Sequence, residues 1–234
     1  MIRHKKQGQL IVVSAPSGSG KDTVVKRLVE RNKNDYWISV SATSRAPRKG
    51  EKEGVDYYYI TKEEFEQRIK DNYFLEYTKY ADNYYGTPKQ NIIDNLEKGK
   101  DVILIIEIEG AANIKEMLPE ALLIFIMPPS IKELARRLKK RGTEDIDKII
   151  KRFHKTYQEI NEVTKYNYVV VNDKLDDAVE KIEAIIKAEN CRVDRIEEVF
   201  LDTKEEEIHE LLMNEDFDNT PIEDRIEEES WKII

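Results

Sequence analysis

The run Gln9-Leu10-Ile11-Val12-Val13-Ser14-Ala15-Pro16-Ser17-Gly18-Ser19-Gly20-Lys21-Asp22-Thr23 decides the fold. Its first part, Gln9 to Ser14, is a short β-branched apolar stretch bounded by Gly8 and by the Gly/Pro/Ser cluster 15–20, the pattern of a buried strand. A helix is expected from Lys21, because Val24, Val25, Leu28 and Val29 fall on one face at helical spacing. Between strand and helix, small residues let successive backbone N–H groups converge on phosphate oxygens. The helix N-terminus adds positive potential, and Lys21 can reach the β- and γ-phosphates of a nucleotide. Against the general phosphate-loop pattern, Ala15 replaces the first glycine and Asp22 replaces the hydroxyl residue after the lysine. The placement between strand and helix carries the assignment, since an ordinary turn needs no lysine aimed at its hollow. Ala15, Pro16, Ser17, Gly18, Ser19, Gly20, Lys21, Asp22 and Thr23 are therefore the expected contacts to nucleotide phosphates.

Working outward, further buried strands are expected at Val102–Ile106, at Leu122–Met127, which Pro128 and Pro129 stop, and at Tyr168–Val171. Helical patterns at 88–98, 130–139, 146–163 and 175–189 alternate with them. That order implies a three-layer α/β/α core with a mostly parallel sheet. The stretch from about Trp37 to Tyr85 breaks the rhythm. It is rich in Tyr and Thr and alternates in period two around Tyr57–Ile60 and Phe74–Tyr80, which suggests a small mixed or antiparallel insertion.

Composition narrows the function classes. The chain has 234 residues, long enough for one substantial core plus an appendage. A lone Cys191 and three His exclude an internal disulfide and a zinc cage, and no apolar run approaches the roughly 18 residues of a membrane span. The basic start, Met1 to Lys6, lacks the apolar core and cleavage site of a signal peptide, so a cytoplasmic chain is expected. From Glu197 onward there are 15 acidic residues against three basic ones, a local −12 within an overall −8, which leaves +4 for the first 196 residues. A mildly basic body suits anionic small molecules better than nucleic acid. The acidic extension 197–234 reads as a solvated tail, with a spacer, an interaction arm or an autoinhibitory segment as alternatives.

Further along the chain come Ser41-Ala42-Thr43-Ser44-Arg45-Ala46-Pro47-Arg48, Gly54-Val55-Asp56-Tyr57, Phe74-Leu75-Glu76-Tyr77 and Asn83-Tyr84-Tyr85-Gly86-Thr87. After these stand Gly99-Lys100-Asp101-Val102, Pro128-Pro129-Ser130, Arg141-Gly142-Thr143-Glu144 and Val171-Asn172-Asp173. In order and spacing this series resembles the guanylate kinase family, from about residue 8 to 192. The resemblance implies a P-loop core (8–36 and 88–192), a nucleoside-monophosphate-binding insertion (about 37–87), a short helical lid (about 137–152), and phosphoryl transfer from ATP to GMP with Mg²⁺. The kinase-like domain would then occupy residues 1–196.

Physical reading of the residues runs beside that resemblance. Arg45 and Arg48 flank a stiffening Pro47, so two guanidinium forks could meet one phosphate with help from the hydroxyls of Tyr57 and Tyr85. Glu76 lies in an apolar and aromatic setting, where a carboxylate could accept from guanine N1–H and its exocyclic amine together, a donor pair that adenine lacks. The plainer alternative for Glu76 is a solvated strand residue. By resemblance, Ser41, Thr87 and Glu107 would complete the guanine contacts. The lid arginines would be Arg137, Arg141 and Arg152, with Arg136 as an alternative inward residue, and Asn172 with Asp173 would form the adenine side. At Ile105, two before Glu107, bacterial members usually carry an acidic residue. Asp22 is the expected substitute that helps hold Mg²⁺, against the alternative that it only favours the N-terminus of its helix. Acceptance of dGMP, which differs only at the 2′ position, is expected beside GMP; a catalytically weak or inactive kinase-like binding module, or a kinase for another nucleoside monophosphate, is the competing expectation.

Overall fold

Five parallel strands carry the core, ordered β10-β9-β2-β8-β3 across the sheet. They are β2 (Leu10–Ser14), β3 (Tyr36–Ile38), β8 (Asp101–Ile105), β9 (Leu122–Met127) and β10 (Tyr168–Val171). The computed structural model describes residues 2–4, 7–32, 35–80, 82–140, 156 and 158–199.

Why the β2 run is apolar without alternation is clear from its two neighbours. Ile11 and Val13 face a cluster with Val24, Val25 and Leu28 of α1 (Lys21–Arg31) and with Ala178, Val179, Ile182 and Ile186 of α6 (Leu175–Asn190). Leu10 and Val12 face the other way. They pack with Ile92 of α3 (Lys89–Glu97) and with Ala111 and Ile114 of α4 (Ile108–Met117). Each fully buried Val, Leu or Ile here contributes about 1.5–3 kcal/mol, so a charge at Val12 would lose that and add an unpaired ion to the core. At the sheet's lower edge the chain passes so closely that a Cβ on Gly8 would lie 2.0 Å from the Lys100 carbonyl oxygen. Only glycine fits there.

The mixed second sheet follows the order β5-β4-β7-β6. It comprises β4 (Ala42–Thr43), β5 (Tyr58–Tyr59), β6 (Phe74–Tyr80) and β7 (Asn83–Pro88), with β4 and β5 parallel and the other pairs antiparallel. Helix α2 (Lys62–Lys70) packs on it, capped by the Thr61 hydroxyl, which accepts the Glu64 N–H at 3.1 Å. Its Phe65 is fully buried and stacks on Phe74 and Tyr84, with ring centroids 4.3 and 5.1 Å away.

Several elements escape the sequence reading: α2 within a stretch that reads as β, α4, and the three-residue β3, which adds the core sheet's outer strand. The helix expected at 130–139 is α5 (Ile131–Lys140), and most of the one expected at 146–163 lies outside the described residues. Residues 2–4 and 189–199 form a unit separate from 7–188, in which β1 (Ile2–His4) pairs antiparallel with β11 (Ile196–Val199). The rest of the acidic extension lies outside the described residues. Among the described residues no helix is long and apolar enough to cross a membrane.

Candidate functional site

All five core strands point their C-terminal ends the same way, and the chemistry-bearing residues collect along that edge, the usual ligand side of such sheets. From β2 the chain turns through 15–20 into α1. Gly18 and Gly20 have φ of 89° and 87°, a left-handed backbone that side chains resist. Gly20 is the N-cap of α1, with no side chain closing the helix end, so the N–H groups of the first turn stay open to an anion. A Cβ on Gly20 would lie 2.8 Å from the Asn172 amide nitrogen. That amide, at the end of β10, donates to the Ser19 carbonyl at 2.8 Å and ties the loop to the sheet edge.

Arg137 of α5 locks the same junction. It donates to the Asn172 carbonyl at 3.1 Å and the Ser19 carbonyl at 3.5 Å, while Glu133 accepts from its Nε at 2.8 Å. Arg136 instead forks onto Glu133 from a largely exposed position, so of the two arginines Arg137 is the one that reaches the loop. Arg141 and Arg152 lie outside the described residues.

Lys21 sits at the centre of the charges. Its ammonium is 3.4 Å from Glu107 Oε1, the N-cap position of α4 just past β8. Burial works against the charged amine, but the carboxylates of Glu107 and Asp22 outweigh it and hold the Lys21 pKa above its ordinary value. Tyr57 responds to the same charges. Its phenol is raised chiefly by burial, with Lys21 and Arg45 pulling it down and Tyr85 and Asp22 pushing it up. One tyrosine thus feels the Lys21 ammonium and the Arg45 guanidinium together.

On the insertion side, Arg45 is half-buried among aromatic rings, its guanidinium 5.3 Å from the Tyr57 ring centroid and 6.0 Å from that of Tyr59. Tyr57 meets Tyr85 edge-on at 6.0 Å. Arg48 is exposed nearby. A residue the sequence reading passes over, Glu51, holds this group together. Its carboxylate takes Arg45 Nη1 and Nη2 at 3.0 Å each, the Arg48 backbone N–H at 2.6 Å and the Tyr59 hydroxyl at 2.9 Å. Those donors, Arg45 first, hold the Glu51 carboxyl down to about 2. The signal available in the sequence was weak, an acid six residues after an arginine in a turn.

Glu76 is buried, with 6% of its surface exposed, which removes the solvated alternative. On β6, Phe74, Glu76 and Thr78 point inward together, the period-two pattern of the strand. The Thr87 hydroxyl donates to Glu76 Oε1 at 2.5 Å across the β6–β7 pair. Burial pushes the Glu76 carboxyl up to about 7, against the pull of Thr87 and with a further push from Glu109 on α4. A Cβ on Gly110 would come within 2.6 Å of Glu76 Oε2, so a larger residue there would push the carboxylate from its present position. Ser41 is half-buried just before β4, its carbonyl accepting from Tyr58 N–H at 2.9 Å.

The family model described as Guanylate kinase matches residues 7–189. The chain belongs to the guanylate kinase family. Guanylate kinase from Clostridium tetani is 56% identical over 207 residues, covering 88% of this chain and 99% of that protein. The one from Caldanaerobacter subterraneus subsp. tengcongensis is 54% identical over 87% of this chain and 98% of its own. Among solved structures, the crystal structure of guanylate kinase from Anaplasma phagocytophilum is 35% identical with a TM-score of 0.70, covering 83% of this chain and 92% of that one.

The family implies a divalent cation. Among the described residues no group of three or more His, Cys, Asp or Glu side chains could hold a metal alone. Asp22 is exposed in the first turn of α1 beside Lys21, whereas Ile105 offers no donor. This set fits Mg²⁺, which takes one or two carboxylates and fills its shell with phosphate oxygens and water.

Proposed function

We infer that the protein transfers the γ-phosphoryl group of ATP to GMP, giving ADP and GDP, and that dGMP is accepted as well. The observation that carries this reading is Glu76: a buried carboxylate with Thr87 as its hydroxyl partner, one chain segment away from an arginine–tyrosine cluster. A carboxylate only accepts, so it suits the N1–H and amine edge of guanine and rejects adenine, whose corresponding edge presents a bare acceptor. Ser41, Thr87 and Glu107 are assigned to the remaining contacts with the GMP base.

The reaction forms one P–O bond and breaks another. A GMP phosphate oxygen attacks the γ-phosphorus, and the bridging oxygen leaves with the electron pair on ADP. No side chain need shuttle a proton, so the residues position groups and neutralise charge. Arg45, Arg48, Tyr57 and Tyr85 hold the GMP phosphate. The loop from Ala15 to Thr23 cradles the ATP phosphates, and Lys21 bridges toward the transferring group from its place between Glu107 and Tyr57. Arg137 holds the loop and Asn172 in register, and Arg141 and Arg152 complete the lid. Mg²⁺, held by Asp22 with phosphate oxygens and water, would neutralise charge on the β- and γ-oxygens.

The test is ADP release from ATP and Mg²⁺ with GMP, dGMP, AMP, CMP and UMP supplied in turn. Turnover with GMP far above AMP, CMP and UMP is expected. Binding of GMP without turnover on any of them would replace the kinase by a binding module, and comparable turnover of AMP would remove Glu76 as the discriminator.

A further inference from the structure

Arginine has five N–H donors in a planar fork, and the structure accounts for where three of those on Arg45 go. Nη1 spends both hydrogens, one on the Ala46 carbonyl at 2.7 Å and one on Glu51 Oε2 at 3.0 Å. Nη2 spends one on Glu51 Oε1 at 3.0 Å. The end-on face of the guanidinium is therefore full. What remains is the lateral face, the Nε–H and the second Nη2–H, and the Nε is buried with no hydrogen-bond partner among the described residues. A buried guanidinium N–H without an acceptor is costly and points to a missing one. The Glu51 carboxylate first, and after it the neighbouring Tyr85 hydroxyl, hold the guanidinium pKa above its ordinary value against burial.

We propose that Glu51 is a positioning residue of the GMP phosphate clamp, occupying the end-on fork of Arg45 so that its lateral fork faces the phosphate. The same oxygen, Oε2, accepts the Arg48 backbone N–H at 2.6 Å and so fixes the second arginine relative to the first. Tyr59 closes the arrangement from the next strand, its hydroxyl on Oε2 at 2.9 Å. Without the carboxylate, two long cationic side chains would have to be ordered by the phosphate itself, at a cost in side-chain entropy charged against binding. The inference rests on the GMP reading above and extends it to a residue that never touches the nucleotide.

The opposite role is physically reasonable, which makes the test sharp. A carboxylate on a phosphate-binding arginine could simply compete with the phosphate, and removing it would raise local positive charge and tighten GMP. Positioning predicts the reverse. In Glu51→Gln the KM for GMP should rise roughly ten- to a hundredfold, the range for charge-assisted hydrogen bonds. The KM for ATP should stay within about twofold, and guanosine, which lacks the phosphate, should bind as it does to the unaltered protein. Glu51→Asp keeps the charge one methylene short of the fork and should also raise the GMP KM. In an Arg45→Lys background, which has no fork to orient, Glu51→Gln should add little.

A lowered GMP KM in Glu51→Gln would establish competition and overturn the proposal. An unchanged KM in Glu51→Gln, or in Glu51→Asp should the first variant not fold, would do the same. Equal losses for guanosine and GMP would assign Glu51 to the insertion's stability instead. If the unaltered protein neither binds nor phosphorylates GMP, the functional reading itself has failed, a result separable from all of these.

Discussion

Replacing Glu76 by Gln should make the protein more stable and less selective, and the stability gain should grow with pH. The carboxyl is pushed from an ordinary 4.5 up to about 7, chiefly by burial. An acid whose pKa rises on folding binds more protons in the folded state between those two values. Stability is then fully present below about 4.5 and is lost as pH rises through about 7. A difference of about 2.5 pH units corresponds to about 3 kcal/mol. Glutamine carries no such proton. The unfolding free energy of Glu76→Gln minus that of the unaltered protein should therefore climb by up to about 3 kcal/mol from near pH 4.5 to pH 8, flattening above about 7. Urea melts at half-unit pH steps on the two proteins, without nucleotide, give this curve.

The same proton governs recognition. Guanine needs the ionised carboxylate as acceptor, so below about pH 7 binding must first strip the proton. Guanosine, whose lack of phosphate removes the titration of GMP itself, should bind roughly tenfold more weakly for each pH unit below that point. A stability difference that stays flat from pH 5 to pH 8 would refute the buried, proton-holding Glu76. A pH-independent guanosine affinity would refute its contact with the base.

Other outcomes are equally direct. Lys21→Ala should cut turnover by on the order of 10²–10³ with the melting curve nearly unchanged, since the ammonium acts on phosphate charge rather than on packing; near-normal activity would remove the loop from the mechanism. Asp22→Ala should raise the Mg²⁺ concentration needed for half-maximal rate, and an unaltered Mg²⁺ dependence would leave Asp22 only its place in the helix's first turn. Gly20→Ala should cost about 1–2 kcal/mol for the left-handed backbone alone and weaken ATP binding further by displacing the Asn172 amide, as read by thermal melts with and without ATP.

Which parts of this were legible beforehand follows from length and locality. The runs ending in Ser14 and Met127 are apolar on both faces, stopped by Gly or Pro, and are buried as they read, whereas the equally apolar Tyr168–Val171 forms a strand as expected but at the sheet's edge, with Val169 and Val171 exposed. Tyr36–Ile38 is three residues long, too short for any period to register. In Ile108–Met117 the core contacts are Gly110, Ala111 and Ile114, two of them small, so the helix shows almost no apolar stripe. Within a Tyr- and Thr-rich stretch, Lys62–Lys70 announced itself only through Thr61 and Glu64, a capping pair that the strand-like surroundings obscured. The site divides the same way. Lys21 and the two glycines belong to one continuous motif, and Glu76 sits in an alternating strand. Glu51 draws its meaning from four donors on three residues brought together only by the turn and by β5, and no spacing rule could single it out.

The strand order has a further consequence for how the chain is made. β2, the central strand, leaves the ribosome well before its partners, which begin at Asp101 and Leu122. At roughly 5–20 residues per second, its apolar faces and unpaired backbone wait on the order of ten seconds for a neighbour. In that interval the β6–β7 hairpin, whose partners lie close together in sequence, can already close. The nascent chain can therefore close the second sheet's hairpin before the turn at 15–20 has a core sheet to rest on, and until then the apolar strand ahead of that turn is exposed to aggregation.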